Sequence, residues 1–245
     1  MHQPEIYISV SEGTFDHAAV EYGVRLARDM KLSAVFYDEE NLSSPYGSEF
    51  MTTGQLDDFD NKYKERLEEA RYQLEGLTQK HQSIWSQVHY RMETGIYQEQ
   101  LVETINEENP LLVIFPLLQE YSTTRDWLGS FETKLAEALA PPVLFIPDHY
   151  KYHKWTKMHY FGNLSDEHAP MPDALKALAK KADLKITSEV IPEDSNSSTV
   201  LDILRQTQTD VFIFKIQEKS FLQRFFGGPN LEKIVMESNF PIMIY

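Results

Sequence analysis

The glycine–serine pair Gly129-Ser130 is the part of the sequence that best suits the binding of an anion. It stands at the start of a predicted helix, four residues after Arg125. A glycine reaches positive φ and leaves room for an anion beside the backbone, and the start of a helix adds partial positive charge. The alternative is structural, because Gly129 also permits close packing and Ser130 can cap the helix.

Other residues that could do chemistry lack the neighbours that the chemistry needs. His149 and His153 are four residues apart, but their segment has no helical pattern and a closed metal site needs more ligands. There is no cysteine, and no Gly-x-Ser-x-Gly elbow that would present a nucleophilic serine. Carboxylate pairs such as Asp57-Asp58 fit a solvated helix face. The sequence therefore predicts no metal site, no catalytic residue and exposed histidines near residue 150.

Two segments of the sequence repeat each other. Residues 110–146 and 209–245 align without a gap at an offset of 99 residues. The matched pairs are Phe115 and Phe214, Arg125 and Arg224, Gly129 and Gly228, and Pro142 and Pro241. A repeat of this size indicates two copies of one domain rather than short solenoid units.

The hydrophobic pattern alternates between strands and helices, which is typical of a parallel, doubly wound α/β sheet. Nine strands are predicted: Glu5–Val10, Leu32–Tyr37, Ile84–Met92, Leu111–Leu117, Val143–Ile146, Lys157–Phe161, Lys185–Ile191, Val211–Ile216 and Pro241–Tyr245. The predicted helices are Phe15–Met30, Gln55–His81, Tyr97–Asn106, Gly129–Leu139, Asp173–Asp183, Ser198–Gln206 and Pro229–Glu237. The offset of 99 aligns Lys185–Ile191 with Ile84–Met92, but its position in the sheet stays open.

These elements predict a domain at 1–148, a linker at 149–156 and an abbreviated second domain at 157–245. Residues 1–150 hold 11 basic and 26 acidic side chains, whereas the remainder holds 12 of each, so the first domain carries the whole net charge of −15. Such a surface repels nucleic acid and anionic membranes. With no apolar run of membrane-spanning length and no signal-like start, we expect a soluble cytoplasmic protein.

The end of each copy resembles the universal stress protein family, in a tandem two-domain form. The matching residues are Leu128-Gly129-Ser130 and Pro141-Pro142-Val143-Leu144 in the first copy, and Gly227-Gly228-Pro229 and Phe240-Pro241-Ile242 in the second. The resemblance covers the whole chain. It implies two Rossmann-like domains of the adenine nucleotide alpha hydrolase type. In some members it also implies an ATP site, with an aspartate after the first strand and a glycine-rich phosphate loop.

Most of that ATP site is replaced in this sequence. The aspartate position falls near Ser11 in the first copy and near Gly162 in the second. The glycine loop becomes Pro116-Leu117-Leu118-Gln119 and Lys215-Ile216-Gln217-Glu218. Proline removes a backbone donor, and leucine adds bulk. We therefore expect no cofactor and expect Leu117, Leu118 and Trp127 to fill the crevice; the alternative is ATP bound by Ser11, Arg125, Gly129 and Ser130.

In the family, domains pair through their last strands, antiparallel across a two-fold axis. The resemblance therefore implies an intrachain pseudo-dimer through Val143–Ile146 and Ile242–Tyr245, with pairing between chains and a homodimer as the alternative. Two functions remain open. One is a non-enzymatic binding or adaptor module in the stress response, whose protein partner the sequence does not name. The other is a nucleotide-binding regulator or slow ATPase that uses the first domain's crevice.

Overall fold

Nine strands of the described chain form one sheet. The computed structural model describes residues 5–11, 18–39, 88–93, 98–117, 138–161, 173–191, 195–215 and 237–245, with residues 64–65, 68–69, 72–73, 75–76 and 234–235. The strands are β1 (Glu5–Ser11), β2 (Ser33–Glu39), β3 (Val88–Glu93), β4 (Leu112–Leu117), β5 (Val143–Pro147), β6 (Lys157–Phe161), β7 (Lys185–Glu189), β8 (Val211–Phe214) and β9 (Ile242–Ile244). The helices between them are α1 (Ala18–Met30), α2 (Gln98–Glu108), α3 (Asp173–Ala182) and α4 (Ser197–Gln206).

The strand order confirms the prediction of a doubly wound α/β fold. The sheet runs β3-β2-β1-β4-β5-β9-β8-β6-β7, and all neighbours are parallel except β5 and β9. These two are antiparallel, with Val143 opposite Ile244 and Phe145 opposite Ile242. Five strands from residues 1–148 thus continue into four strands from residues 157–245.

Alternating side chains divide the buried core into two faces of the sheet. On one face α1 packs against β1, β2, β4 and β5, and contacts α3. The other face holds Ile105 of α2 and Leu204 of α4. Every residue of β4, β5, β8 and β9 is buried, as expected for strands covered on both sides.

Two different offsets relate the halves of the sheet. Val113 opposes Val143 in the first half and Phe212 opposes Ile242 in the second, which is the offset of 99 read from the sequence. The earlier elements follow an offset of 152 instead, since Glu5 opposes Ser33 and Lys157 opposes Lys185. The difference of 53 residues corresponds to a segment that the second half lacks between β7 and α4.

The position of β7 differs from the one that the offset of 99 indicates. The sequence aligned Lys185–Ile191 with the third strand, yet β7 pairs with β6 as β2 pairs with β1. The turn before the strand gives the reason. Lys31 and Asp183 both have positive φ, 55° and 52°, and the next residue donates its N–H back to Ala27 or Ala179. The same helix-ending turn therefore places β2 beside β1 and β7 beside β6.

The segment predicted as a linker is a packed part of the structure. Trp155 is only 2% exposed, and its indole N–H donates to the hydroxyl of Tyr22 in α1. The Tyr152 hydroxyl donates to the carboxylate of Asp29 at 2.7 Å, and its ring meets that of Tyr22 edge-on at 5.1 Å. Residues 149–156 thus hold the second half against α1, rather than only connecting two domains.

Several predicted elements lie wholly or partly outside the described residues. Of the helix predicted at Gln55–His81, residues 64–65, 68–69, 72–73 and 75–76 are described, and all are helical. The helices predicted at Gly129–Leu139 and Pro229–Glu237 are described only near their ends. The strand predicted at Val211–Ile216 is shorter in the structure, because β8 ends at Phe214.

Candidate functional site

A separation of two neighbouring strands marks the carboxyl edge of the first half. β1 and β4 pair only from Ile6 and Leu112 to Ile8 and Ile114. Beyond these residues β1 continues beside β2 as far as Ser11, and β4 continues beside β5 as far as Leu117. Crevices of this kind, where the strand order reverses, are where open α/β sheets bind ligands.

The wall of this crevice that β4 contributes is a strand rather than a loop. Pro116 opposes Ile146 and Leu117 opposes Pro147, so the ladder with β5 includes the first two positions of the expected glycine loop. Leu117 is 4% exposed and belongs to the core on the side of α2. Proline has no N–H to offer an anion. These two residues therefore supply packing at a place where phosphate binding would need free backbone donors.

The residues proposed for nucleotide binding are described only in part. Ser11 is the last residue of β1, where its backbone opposes Glu39 of β2. Arg125, Gly129 and Ser130 lie outside the described residues, as do Leu118 and Trp127. The site that combines Ser11 with the other three residues therefore stays a prediction.

Aromatic rings pack together where the described pairing of β6 with β8 ends in the second half. β6 and β8 remain paired up to their last residues, Phe161 and Phe214. The rings of these two residues stack, with centroids 4.6 Å apart and planes inclined by 25°. The Phe212 ring lies behind them, 5.9 Å from that of Phe161. All three side chains are buried in the core on the side of α4.

His159 of β6 is the buried polar residue of this aromatic face. It is 6% exposed, and its ring lies edge-on to Phe161 at a centroid distance of 4.9 Å. Its Nδ1 is 2.9 Å from the hydroxyl of Thr187 on β7. Its Nε2 has no hydrogen-bond partner among the described residues, and the carboxylate of Glu189 is 3.7 Å away. Burial lowers the pKa of His159, and the Glu189 charge only partly opposes that shift.

The burial of His159 was not predicted from the sequence. The alternation of side chains along the strand Lys157–Phe161 could have predicted it, because His159 lies on the same face as Phe161. The matching registers also equate His159 with Tyr7 of β1, since they oppose Phe212 and Val113 respectively. Both positions thus carry a polar ring, and the Tyr7 hydroxyl donates to the carboxylate of Glu108.

A second polar cluster lies at the amino ends of β6 and β8. The carboxylate of Asp210 accepts hydrogen bonds from the N–H groups of Thr156 and Lys157 and from the Thr156 hydroxyl. His153 lies 2.8 Å from its other oxygen. Burial alone would raise the pKa of Asp210, but these hydrogen bonds reverse the shift and lower it. His153 is therefore half-exposed and bound to a carboxylate, whereas His149 is exposed.

No metal centre forms in the part of the chain that the structure describes. Groups of three or more histidine, cysteine, aspartate or glutamate side chains close enough to hold an ion are absent there. Neither does any described helix have the length and apolar character that crossing a membrane requires.

Comparison with known proteins identifies the architecture. No protein-family model and no curated protein matches the chain. A putative universal stress protein from Pseudomonas aeruginosa UCBPP-PA14 is 11% identical, with a TM-score of 0.57 over 99% of this chain and 92% of that one. A universal stress protein from Archaeoglobus fulgidus DSM 4304 is 9% identical, with a TM-score of 0.53 over 98% of this chain and 95% of that one.

The chain has the universal stress protein fold. A functionally unknown protein from Pseudomonas aeruginosa PAO1 is also similar in structure, at 10% identity and a TM-score of 0.57 over 99% of this chain and 92% of that one. The full coverage means that the abbreviated second half belongs to the matched region. At such identities the likeness extends to the fold alone, and function must be argued from the residues of this chain.

Proposed function

We propose that this protein is a cytoplasmic, non-enzymatic binding or adaptor module of the stress response that has lost the conventional ATP site. The observation that carries the proposal is the burial of side chains at both carboxyl edges of the sheet. Leu117 belongs to the core beside β5, and the stacked rings of Phe161 and Phe214 are buried where β6 and β8 end. A triphosphate needs exposed backbone donors at such an edge, and apolar side chains exclude it.

The two halves act as an internal pseudo-dimer in this proposal. The antiparallel pairing of β5 with β9 and the repeated register at an offset of 99 support it. The packing of Trp155 against Tyr22 adds a second connection between the halves. A pseudo-dimer fixed in this way offers a rigid surface on which an adaptor can bind a partner protein.

Titration with ATP and magnesium tests the loss of nucleotide binding. A ligand at ten times its Kd stabilises a folded protein by about 1.4 kcal/mol. For a chain of this length, that corresponds to a rise in melting temperature of roughly 3–6 °C. Conventional binding is taken here as a Kd of about 100 μM or lower, and about 1 mM ATP is ten times that value. At this concentration we expect no shift in melting temperature and no heat of binding. A saturable shift at this concentration would contradict the proposal.

The second candidate is a nucleotide-binding regulator or slow ATPase that uses the first half. The separation of β1 from β4 beyond Ile8 favours it, because this crevice is not bridged by strand pairing. In this case ATP or AMP binds with a Kd below about 100 μM, and the Gly129→Val variant loses binding because a branched side chain fills the anion position. The Phe214→Ala variant is the matched control, since it alters the second edge and leaves the first unchanged.

A further inference from the structure

In the described part of the chain, β7 has a strand on one side only, whereas the corresponding strand of the first half has a strand on each side. β2 lies between β1 and β3, with Ala34 opposite Val88. β7 occupies the same place beside β6, but no described strand pairs with its other side. Lys185, Ser188, Glu189 and Val190 are all exposed, and Val190 is 63% exposed. Among the described residues, the second half therefore presents an unpaired strand edge at one end of the sheet.

The hydrogen-bonding groups of this edge can be assigned from the ladder with β6. The Lys185 N–H donates to the carbonyl of Thr156, so the backbone groups of Lys185 face β6. In a parallel ladder the backbone groups of alternate residues face the same neighbour. Those of Ile186 and Ser188 consequently face away from the sheet, where a further strand would bind them.

We propose that β7 pairs with β7 of a second copy of this chain, antiparallel and centred on Thr187. A two-fold axis at Thr187 places Ile186 opposite the second copy's residue 188, so both outward-facing backbone positions exchange hydrogen bonds. The same axis places Lys185 opposite residue 189 of the second copy. Each strand therefore sets its lysine against the glutamate of the other, twice in the dimer.

The charge pattern selects this register over its neighbours. A shift by two residues would place Lys185 or Glu189 opposite Thr187 and leave the other charge without a counterpart. The central register also brings exposed Val190 beside residue 184 of the second copy, a leucine that is partly buried. Both the charged and the apolar side chains of the edge thus find suitable neighbours in the same arrangement.

The distribution of net charge also favours this end of the sheet. Residues 1–150 carry the whole charge of −15, whereas the remaining residues hold 12 basic and 12 acidic side chains. β7 is the last strand of the order, at the end opposite β3, and belongs to the neutral part. Pairing there keeps the two acidic halves far apart, so their mutual repulsion is screened by salt.

Sedimentation equilibrium of the full chain tests the proposal. The measurement covers about 5 to 500 μM protein at about 0.15 M salt, because a short interface gives weak dimers and salt screens the net repulsion. The wild-type chain is expected to dimerise. Lys185→Glu and Glu189→Lys each set like charges opposite each other and weaken the dimer by about tenfold or more. The double variant carrying both changes restores the pairing with reversed polarity and dimerises within about threefold of the wild type.

Two further variants control for unrelated effects. Lys181→Glu makes the same change of charge as Lys185→Glu, but at an exposed residue of α3, so this variant should dimerise like the wild type. Ser188→Pro removes an outward-facing N–H that makes no bond to β6, so the monomer folds, as circular dichroism can verify, while the dimer is lost. A monomeric wild type overturns the proposal and leaves the edge to a strand of another protein. A dimer that tolerates Ser188→Pro, or a double variant that fails to recover, overturns it too.

Discussion

The contact between Trp155 and Tyr22 should contribute much of the stability that joins the two halves. Trp155 is 2% exposed and Tyr22 is 1% exposed, and the indole N–H donates to the tyrosine hydroxyl. A buried tryptophan removes roughly 150–250 Å² from water, and Trp→Ala changes in cores cost about 3–5 kcal/mol. We expect Trp155→Ala to lower the free energy of unfolding by this amount, which moves the urea midpoint by about 1–2 M.

A double-mutant cycle separates the hydrogen bond from the packing. Tyr22→Phe keeps the ring but leaves the indole N–H buried without an acceptor, which costs about 1–3 kcal/mol. Trp155→Phe removes the donor, so Tyr22→Phe in that background should cost about 1 kcal/mol less. Tyr72→Phe is the matched control, because Tyr72 is 78% exposed, and it should leave the midpoint unchanged.

Urea unfolding followed by far-ultraviolet circular dichroism measures all of these variants without relying on the fluorescence of Trp155. The reasoning would be refuted if Trp155→Ala cost less than about 0.5 kcal/mol, the range of ordinary surface substitutions. In that event residues 149–156 would be only a connection. A cycle in which the costs of Tyr22→Phe and Trp155→Phe simply add would show that the hydrogen bond contributes nothing beyond packing.

Three further predictions concern other buried groups. A Cβ on Gly23 would lie 2.6 Å from Ile8 Cδ1, so Gly23→Ala should destabilise the fold by about 1–3 kcal/mol through overpacking. A Cβ on Gly76 would meet nothing within 4 Å, so Gly76→Ala should stabilise its helix by about 0.5–1 kcal/mol. The lowered pKa of His159 means that the folded state favours the neutral ring, so stability should fall as pH drops below the unfolded pKa of about 6.5, and His159→Phe should flatten that dependence. Removing the hydrogen-bonded carboxylate with Asp210→Ala should cost about 1–3 kcal/mol.

Chemical unfolding at several pH values measures these outcomes together. Equal effects of Gly→Ala at positions 23 and 76 would contradict the packing argument. A wild-type midpoint that is the same at pH 7.5 and pH 5 would contradict the burial of a neutral His159. The stability that Asp210 contributes should be present above about pH 4 and be lost as pH falls through its lowered folded pKa. A difference between the wild type and Asp210→Ala that does not narrow as pH falls below about 4 would contradict its ionic origin.

The sequence by itself determined the class of fold and most of its elements. Alternating strands and helices require a parallel sheet wound on both sides, and the offset of 99 places β4 and β5 in correspondence with β8 and β9. Strand periodicity also fixes which side chains share a face, as in Lys157–Phe161. These properties are local, because each depends on residues within one element or on a gap-free copy of it.

Only the tertiary structure decided which elements meet. The place of β7 follows from the turn at Asp183, which repeats the conformation at Lys31 although the two residue types at positive φ differ. Trp155 and Tyr22 are 133 residues apart, and nothing in the pattern of either segment pairs them. The burial of His159 depends on rings from β6 and β8 together. Such contacts depend on how the elements are arranged in space, and a one-dimensional pattern does not contain that arrangement.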